Sequence, residues 1–141
     1  MKTQPCIAVV DDDASVGKAL CRLLRCAGYN SKSFCSAEEL LQHIFFEAPD
    51  CLVLDVQMPG VSGLVLQEHL AAKGLVVPIV FITAHDDDHN RKRALRAGAV
   101  DFLLKPVMDQ VLISAIQRAL NSKPQPAEPV ITGEMAASAC L

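Results

Sequence analysis

The chain has no tryptophan, one tyrosine and five phenylalanines among its 141 residues. With aromatics at 4%, there are few rings on which bases could stack, and a single-stranded nucleic-acid platform is not expected. Positive charge is not in excess either. Thirteen Lys and Arg stand against sixteen Asp and Glu, for a formal net charge of -3 and a pI of about 5.7. That balance leaves no electrostatic footprint for direct nucleic-acid binding. Long apolar runs are also missing. Stretches such as Ile79 to Ile82 fall far short of the ~20 residues that cross a bilayer. The N-terminus reaches Asp11-Asp12-Asp13 before any signal-like apolar segment develops. A soluble, cytoplasmic protein without membrane contact is expected. The six cysteines are Cys6, Cys21, Cys26, Cys35, Cys51 and Cys140. They form no CxxC pair and have no histidine at finger spacing, so they read as reduced thiols rather than a zinc site.

What the chain does have is a 51% hydrophobic composition and length enough for one domain with a sizeable core. Five short apolar runs alternate with helical patterns. Strands are predicted at Cys6–Val10, Tyr29–Phe34, Cys51–Leu54, Pro78–Ile82 and Val100–Leu104. Helices are predicted at Ser15–Ala27, from the capping box Ser36-Ala37-Glu38-Glu39 to about Phe46, from the end of the loop Met58-Pro59-Gly60-Val61-Ser62-Gly63 to Lys73, at Asp88–Ala97 and at Asp109–Leu120. The first helix is predicted to bury Val16, Leu20, Leu23, Leu24 and Ala27. The last is predicted to bury Val111, Leu112, Ala115, Ile116, Ala119 and Leu120. Near-uniform apolar strands alternating with helices predict an α/β fold, a doubly wound five-stranded parallel sheet with helices on both faces. Residues 1–121 form this domain. Residues 122–141, rich in Pro and Ala, read as a flexible tail or linker.

In open parallel sheets, ligands gather at the carboxyl ends of the strands. Four of the five predicted strands end in a reactive side chain: Asp11-Asp12, Asp55, Thr83 and Lys105. Three carboxylates beside one lysine hold an excess of negative charge that is costly at short range. A hard divalent cation resolves it. Mg²⁺ prefers oxygen ligands and is often held by one or two carboxylates plus a phosphate. Asp12 and Asp55 are expected as direct ligands, Asp11 through a water, and the backbone carbonyl of Gln57 as a further ligand. A carboxylate can also accept a phosphoryl group, the protein then supplying position and neutralisation. Asp55 is the expected acceptor, with Lys105 and the Thr83 hydroxyl binding phosphoryl oxygens and the small Ala84 leaving room for the donor.

Val9-Val10-Asp11-Asp12, Leu54-Asp55 with Met58-Pro59 and Gly63, Ile82-Thr83-Ala84, and Ala97-Gly98-Ala99-Val100-Asp101-Phe102 leading to Lys105-Pro106 resemble the response-regulator receiver family. The resemblance covers roughly Cys6 to Leu120. It implies a flavodoxin-like receiver fold with strand order 2-1-3-4-5. It also implies Mg²⁺ dependence, a histidine kinase or phosphotransfer protein as partner, autodephosphorylation, and a signalling switch rather than a turnover enzyme. Two residues would carry that switch: Thr83 moves toward the phosphoryl group and Phe102 turns inward. The family pattern further implies a cis Lys105-Pro106 peptide and a homodimer through the fourth helix, fifth strand and last helix. The wording of Pro78–Asp86 and Ala97–Pro106 is similar to the FixJ-like subgroup, whose members usually precede a helix-turn-helix module. No such module follows in this sequence, so direct DNA binding by the chain is not expected.

Plainer readings stand beside these. Asp13 reads as a helix cap, and His85-Asp86-Asp87-Asp88-His89 as a solvated loop ending in a cap. Arg91, Lys92, Arg93 and Arg96 read either as a solvated face or as part of a partner surface. Phe102 reads either as ordinary core or as the switch. Two other functions compete with the receiver reading. A haloacid-dehalogenase-type phosphatase would want an acid two residues after Asp55, where Gln57 stands. A receiver-like binding module that is never phosphorylated would not need Asp11, Asp12, Thr83 and Lys105 together.

Overall fold

Alternation of apolar residues decides which face of the sheet each strand side chain serves. The computed structural model, which describes residues 4–44 and 46–121, has β1 Cys6–Val10, α1 Ala14–Cys26, β2 Asn30–Phe34, α2 Ala37–Ile44, β3 Cys51–Asp55, α3 Gly63–Ala72, β4 Ile79–Thr83, α4 Asp88–Arg96, β5 Asp101–Leu104 and α5 Asp109–Asn121. The strands pair in parallel in the order β2-β1-β3-β4-β5. This is the implied flavodoxin-like receiver topology. Ala8, Val10, Leu52, Leu54, Phe81 and Phe102 face a core shared with α2, α3 and α4. Ile7, Val9, Cys51, Val53, Val80 and Ile82 face the other way, against α1 and α5. Central β3 and β4 are buried at every position, because both faces are covered.

Caps set the helix starts. Asp13 Oδ1 accepts from Ser15 and Val16 N–H at 3.0 and 3.4 Å, and Asp87 Oδ1 accepts from Asn90 N–H at 3.2 Å. Both acids therefore cap as expected. In the Ser36 box, Glu39 N–H donates to Ser36 Oγ at 3.1 Å. The Glu39 carboxylate reaches back one residue beyond the cap, to Cys35 N–H at 2.7 Å.

Three expectations are corrected. The second helix stops at Ile44, because Phe46 and Glu47 N–H both turn onto the His43 carbonyl, and Phe46 is left 90% exposed. Helix α1 does not centre on its bulkiest residues. Gly17, Cys21 and Leu24 form its buried line, since a glycine lets the helix lie close on β2: a Cβ at Gly17 would stand 3.3 Å from Ser33 Cβ. On α5, Val111 is exposed while Leu112, Ala115, Ile116 and Ala119 are buried. The Lys105-Pro106 peptide is cis, as the resemblance implied. No helix among the described residues is long and apolar enough to cross a membrane. The tail predicted over 122–141 lies outside the described residues.

Candidate functional site

Each buried strand delivers its last residue to the same rim. Asp11 follows β1 directly. Its N–H bonds the Phe34 carbonyl at 3.0 Å, and its Oδ1 accepts Asp13 N–H at 2.9 Å. The carboxylate is thereby fixed in place, at 1% exposure. Asp55 closes β3 at 4% exposure. The next residue continues the ladder, Val56 N–H to the Ile82 carbonyl at 3.0 Å. Gln57 N–H then turns back onto Asp55 Oδ1 at 3.1 Å. Asp12 is exposed. One carboxylate oxygen from each of Asp11, Asp12 and Asp55 can lie within 4.8 Å of the others.

Lys105 arrives from beyond β5, its own N–H held by the Thr83 carbonyl at 2.7 Å. Its Nζ bridges Asp11 Oδ2 at 2.8 Å and Asp55 Oδ2 at 3.3 Å. Burial works against a charged lysine, but the hydrogen bond it donates to Asp11 and the charges of Asp55 and Asp11 outweigh it and raise the Lys105 pKa. Asp55 is pushed above the usual carboxylate range. Burial is the main cause and the Asp11 charge the second; the Gln57 N–H and Lys105 oppose them without cancelling them. One ammonium therefore does not neutralise this cluster, and the site favours further positive charge. Asp13 differs. Hydrogen bonds from Ser15 hold its pKa below the usual range, and it belongs to the α1 cap.

The donor set fits a hard cation: carboxylate oxygens converge, two are buried and fixed, and the third is open to water. Thr83 lies on the same rim at 1% exposure, but its hydroxyl is engaged with its own turn. It accepts His85 N–H at 3.2 Å and donates to the His85 carbonyl at 3.3 Å. Phe102 stands away from the rim. Its ring is already inside, 2% exposed, with its centroid 6.1 Å from that of Phe81.

Two contributors lay beyond sequence reasoning. Gly63 opens α3, with its N–H on the Val56 carbonyl at 2.9 Å, and packs so tightly on the Asp55 backbone that a Cβ there would overlap the Asp55 carbonyl oxygen. Its place in the family wording was visible, its contact was not. Arg91, one of four basic residues in α4, lies over the Phe102 ring at 5.1 Å and donates to the Phe102 carbonyl at 3.0 Å. Nothing local in the sequence separates it from its solvated neighbours.

Residues 7–117 match the family described as the response regulator receiver domain. Nodulation protein W of Bradyrhizobium diazoefficiens is 44% identical over 117 residues, covering 83% of this chain and 52% of that protein. The chain thus spans about half the length of such a curated relative. Among solved structures, the response regulator StyR is 47% identical with a TM-score of 0.79, over 86% of this chain and 61% of that one. FixJ-N is 36% identical with a TM-score of 0.79, over 86% and 97%. With the family match running from β1 into α5 and a relative of this identity over most of its length, the chain belongs to the response regulator receiver domain family.

Proposed function

We propose that the chain is the phosphoacceptor of a two-component phosphorelay, taking a phosphoryl group onto Asp55 from a histidine kinase or phosphotransfer protein. One observation carries this reading: Lys105 Nζ bridges two buried carboxylates while a third stays open to solvent. That is a half-neutralised acid cluster at a strand rim, suited to a divalent cation and a phosphoryl group together. An Asp55 carboxylate oxygen attacks phosphorus, the donor's P–N bond breaks, and the departing imidazole takes up a proton. Asp12, Asp55 and the Gln57 carbonyl would hold Mg²⁺ directly, and Asp11 through water. When bound, Mg²⁺ supplies the positive charge that lets a carboxylate and a phosphoryl group approach. Lys105 pairs with a phosphoryl oxygen as a point charge. The Thr83 hydroxyl must release the His85 carbonyl before it can donate to the phosphoryl group. The cytoplasm, where such kinases present their phosphoryl groups, is the site of action this reading requires. The phosphatase reading has no acid at position 57 to support it.

With acetyl phosphate and Mg²⁺, intact mass should show one phosphoryl addition. The addition should be absent in Asp55→Asn and blocked by a chelator. A modified Asp55→Asn, or an unmodified parent chain, would overturn the assignment.

The output surface is read from exposed apolar residues. Leu95 on α4, Leu104 on β5, Met108 in the following turn and Val111 on α5 are 42–71% exposed, and they lie on or next to edge strand β5 and the helices that precede and follow it. The outer edge of β5 is blocked at Phe102, because Asp101 Oδ1 takes its N–H at 2.8 Å and Arg91 donates to its carbonyl. Association therefore goes through these side chains rather than by strand addition. Sedimentation should show dimers on adding beryllofluoride and Mg²⁺, with Leu104→Glu staying monomeric. A parent chain that stays monomeric with beryllofluoride bound would sink the dimer.

A further inference from the structure

Helix α4 is thinly seated. Ala94 is its one fully buried residue. Gln67 Nε2 holds the Ala94 carbonyl at 3.2 Å. Arg93 pairs with Glu68 at 2.9 Å on the surface, where both side chains are 40–52% exposed and such a pair contributes little. Lys92 pairs only within the helix, with Asp88. Arg91 is different, because its guanidinium engages both the backbone and the ring of one residue on another element, in a part-buried contact. It bonds the Phe102 carbonyl and covers the Phe102 ring.

The partner is well fixed. Lys105 N–H bonds the Thr83 carbonyl on β4, so the alternation of a parallel ladder turns the N–H and C=O of Phe102 to the outer edge. Asp101 Oδ1 takes the N–H, and Arg118 of α5 holds Asp101 Oδ2 at 2.7 Å. The Phe102 ring packs on Phe81. At its other end, α4 begins at Asp88, five residues after Thr83. The chain between them is too short to absorb a shift of α4 without disturbing the turn that occupies the Thr83 hydroxyl.

We propose that Arg91 is a positioning residue: by clamping Phe102 it fixes α4, and through α4 it holds the Thr83–His85 turn in the arrangement of the unmodified chain. Its effect on signalling rests on the Asp55 reading; its effect on α4 does not. A contact made in this arrangement and given up in the other opposes conversion, and a ligand of the converted form must overcome it.

The test uses Arg91→Ala and Arg91→Lys in the whole chain. Alanine raises helix propensity, so any loosening of α4 comes from the lost clamp. Without metal or donor, hydrogen exchange over residues 84–96 should speed up on the order of 100-fold, the size of a half-exposed cation–π contact together with a hydrogen bond from a charged donor. Exchange in α1 should not change. Arg91→Lys, which keeps charge but loses the planar fork, should follow Ala. Lys92→Ala should follow the parent. In a beryllofluoride titration with Mg²⁺, the midpoint should fall several-fold in Arg91→Ala. Unchanged exchange in Arg91→Ala, parent-like exchange in Arg91→Lys, or an unchanged or raised midpoint would overturn the clamp. A parent chain that binds no beryllofluoride would instead overturn the Asp55 reading, and the exchange result would still decide whether Arg91 fixes α4.

Discussion

Replacing Lys105 with methionine should slow phosphoryl uptake from acetyl phosphate on the order of 100-fold and destabilise the metal-free domain by about 1–2 kcal/mol. Methionine keeps much of the stem's bulk, so the change isolates the charge. In the parent chain the ammonium stands 2.8 Å from Asp11 and 3.3 Å from Asp55. Its pKa is raised in the folded state. A raised lysine pKa is a stabilising contribution that is complete below the ordinary value of 10.5 and is lost as pH climbs through the folded value. At neutral pH the whole contribution is present, so the substitution removes all of it. Asp55 already sits above the usual carboxylate range, so its ionised form is costly in the fold, and losing Lys105 makes it costlier. The loss stays below that of a fully buried ion pair, because the Lys105 side chain is 23% exposed. Denaturant unfolding and acetyl-phosphate uptake followed by intact mass measure the two effects. Mg²⁺ should recover more stability in Lys105→Met than in the parent, since it adds charge to the same carboxylates. A variant as stable and as reactive as the parent would leave Lys105 without a role at the site.

The residues legible in the sequence share one property: their position is set by the strand that carries them. Asp11, Asp55, Thr83 and Lys105 close apolar runs or follow them directly, and a parallel sheet brings such ends together whatever the loops do. Asp13 and Asp87 were legible for a similar reason, since capping is decided within three residues. What escaped depends on packing across the fold. The buried line of α1 is not set by its apolar period alone: the close approach of α1 to β2 at Gly17 puts Cys21 inside and leaves Leu20 and Leu23 partly buried. Phe46 falls outside α2 and is exposed, because a turn onto His43 ends the helix first. Arg91 reaches a residue eleven positions away on another element, and no period in the sequence records that. The switch wording implied that Phe102 turns inward, yet the ring is already inside. This leaves α4 and the Thr83 turn as the parts with room to change.

Gly63→Ala should lower stability by about 2–3 kcal/mol, a fall in Tm on the order of 10 °C for a domain of this size. On helix propensity alone the sign would be the opposite, since alanine is about 1 kcal/mol better than glycine inside a helix and also restricts the unfolded chain. Space decides otherwise. An added Cβ would overlap the Asp55 carbonyl oxygen and stand 3.2 Å from the Asp55 carbonyl carbon and 3.1 Å from Phe81 Cε1. The first two are backbone atoms at the end of a buried central strand, so no rotamer change relieves them. Either α3 moves out or the end of β3 moves, and Asp55 moves with it. The Gln57 N–H that holds Asp55 Oδ1 belongs to the same loop and shifts too. The variant should therefore lose phosphoryl uptake beyond what its unfolded fraction explains, about tenfold at a temperature where it remains folded. Gly28→Ala is the matched control. Gly28 has φ +98° with open space around a Cβ, so its cost is left-handed backbone strain alone, about 1 kcal/mol. It lies past the far end of α1 from the acids, and uptake should be unchanged. If Gly63→Ala matched Gly28→Ala in both readouts, the loop after β3 would be able to yield, and Asp55 would owe its position to the strand alone.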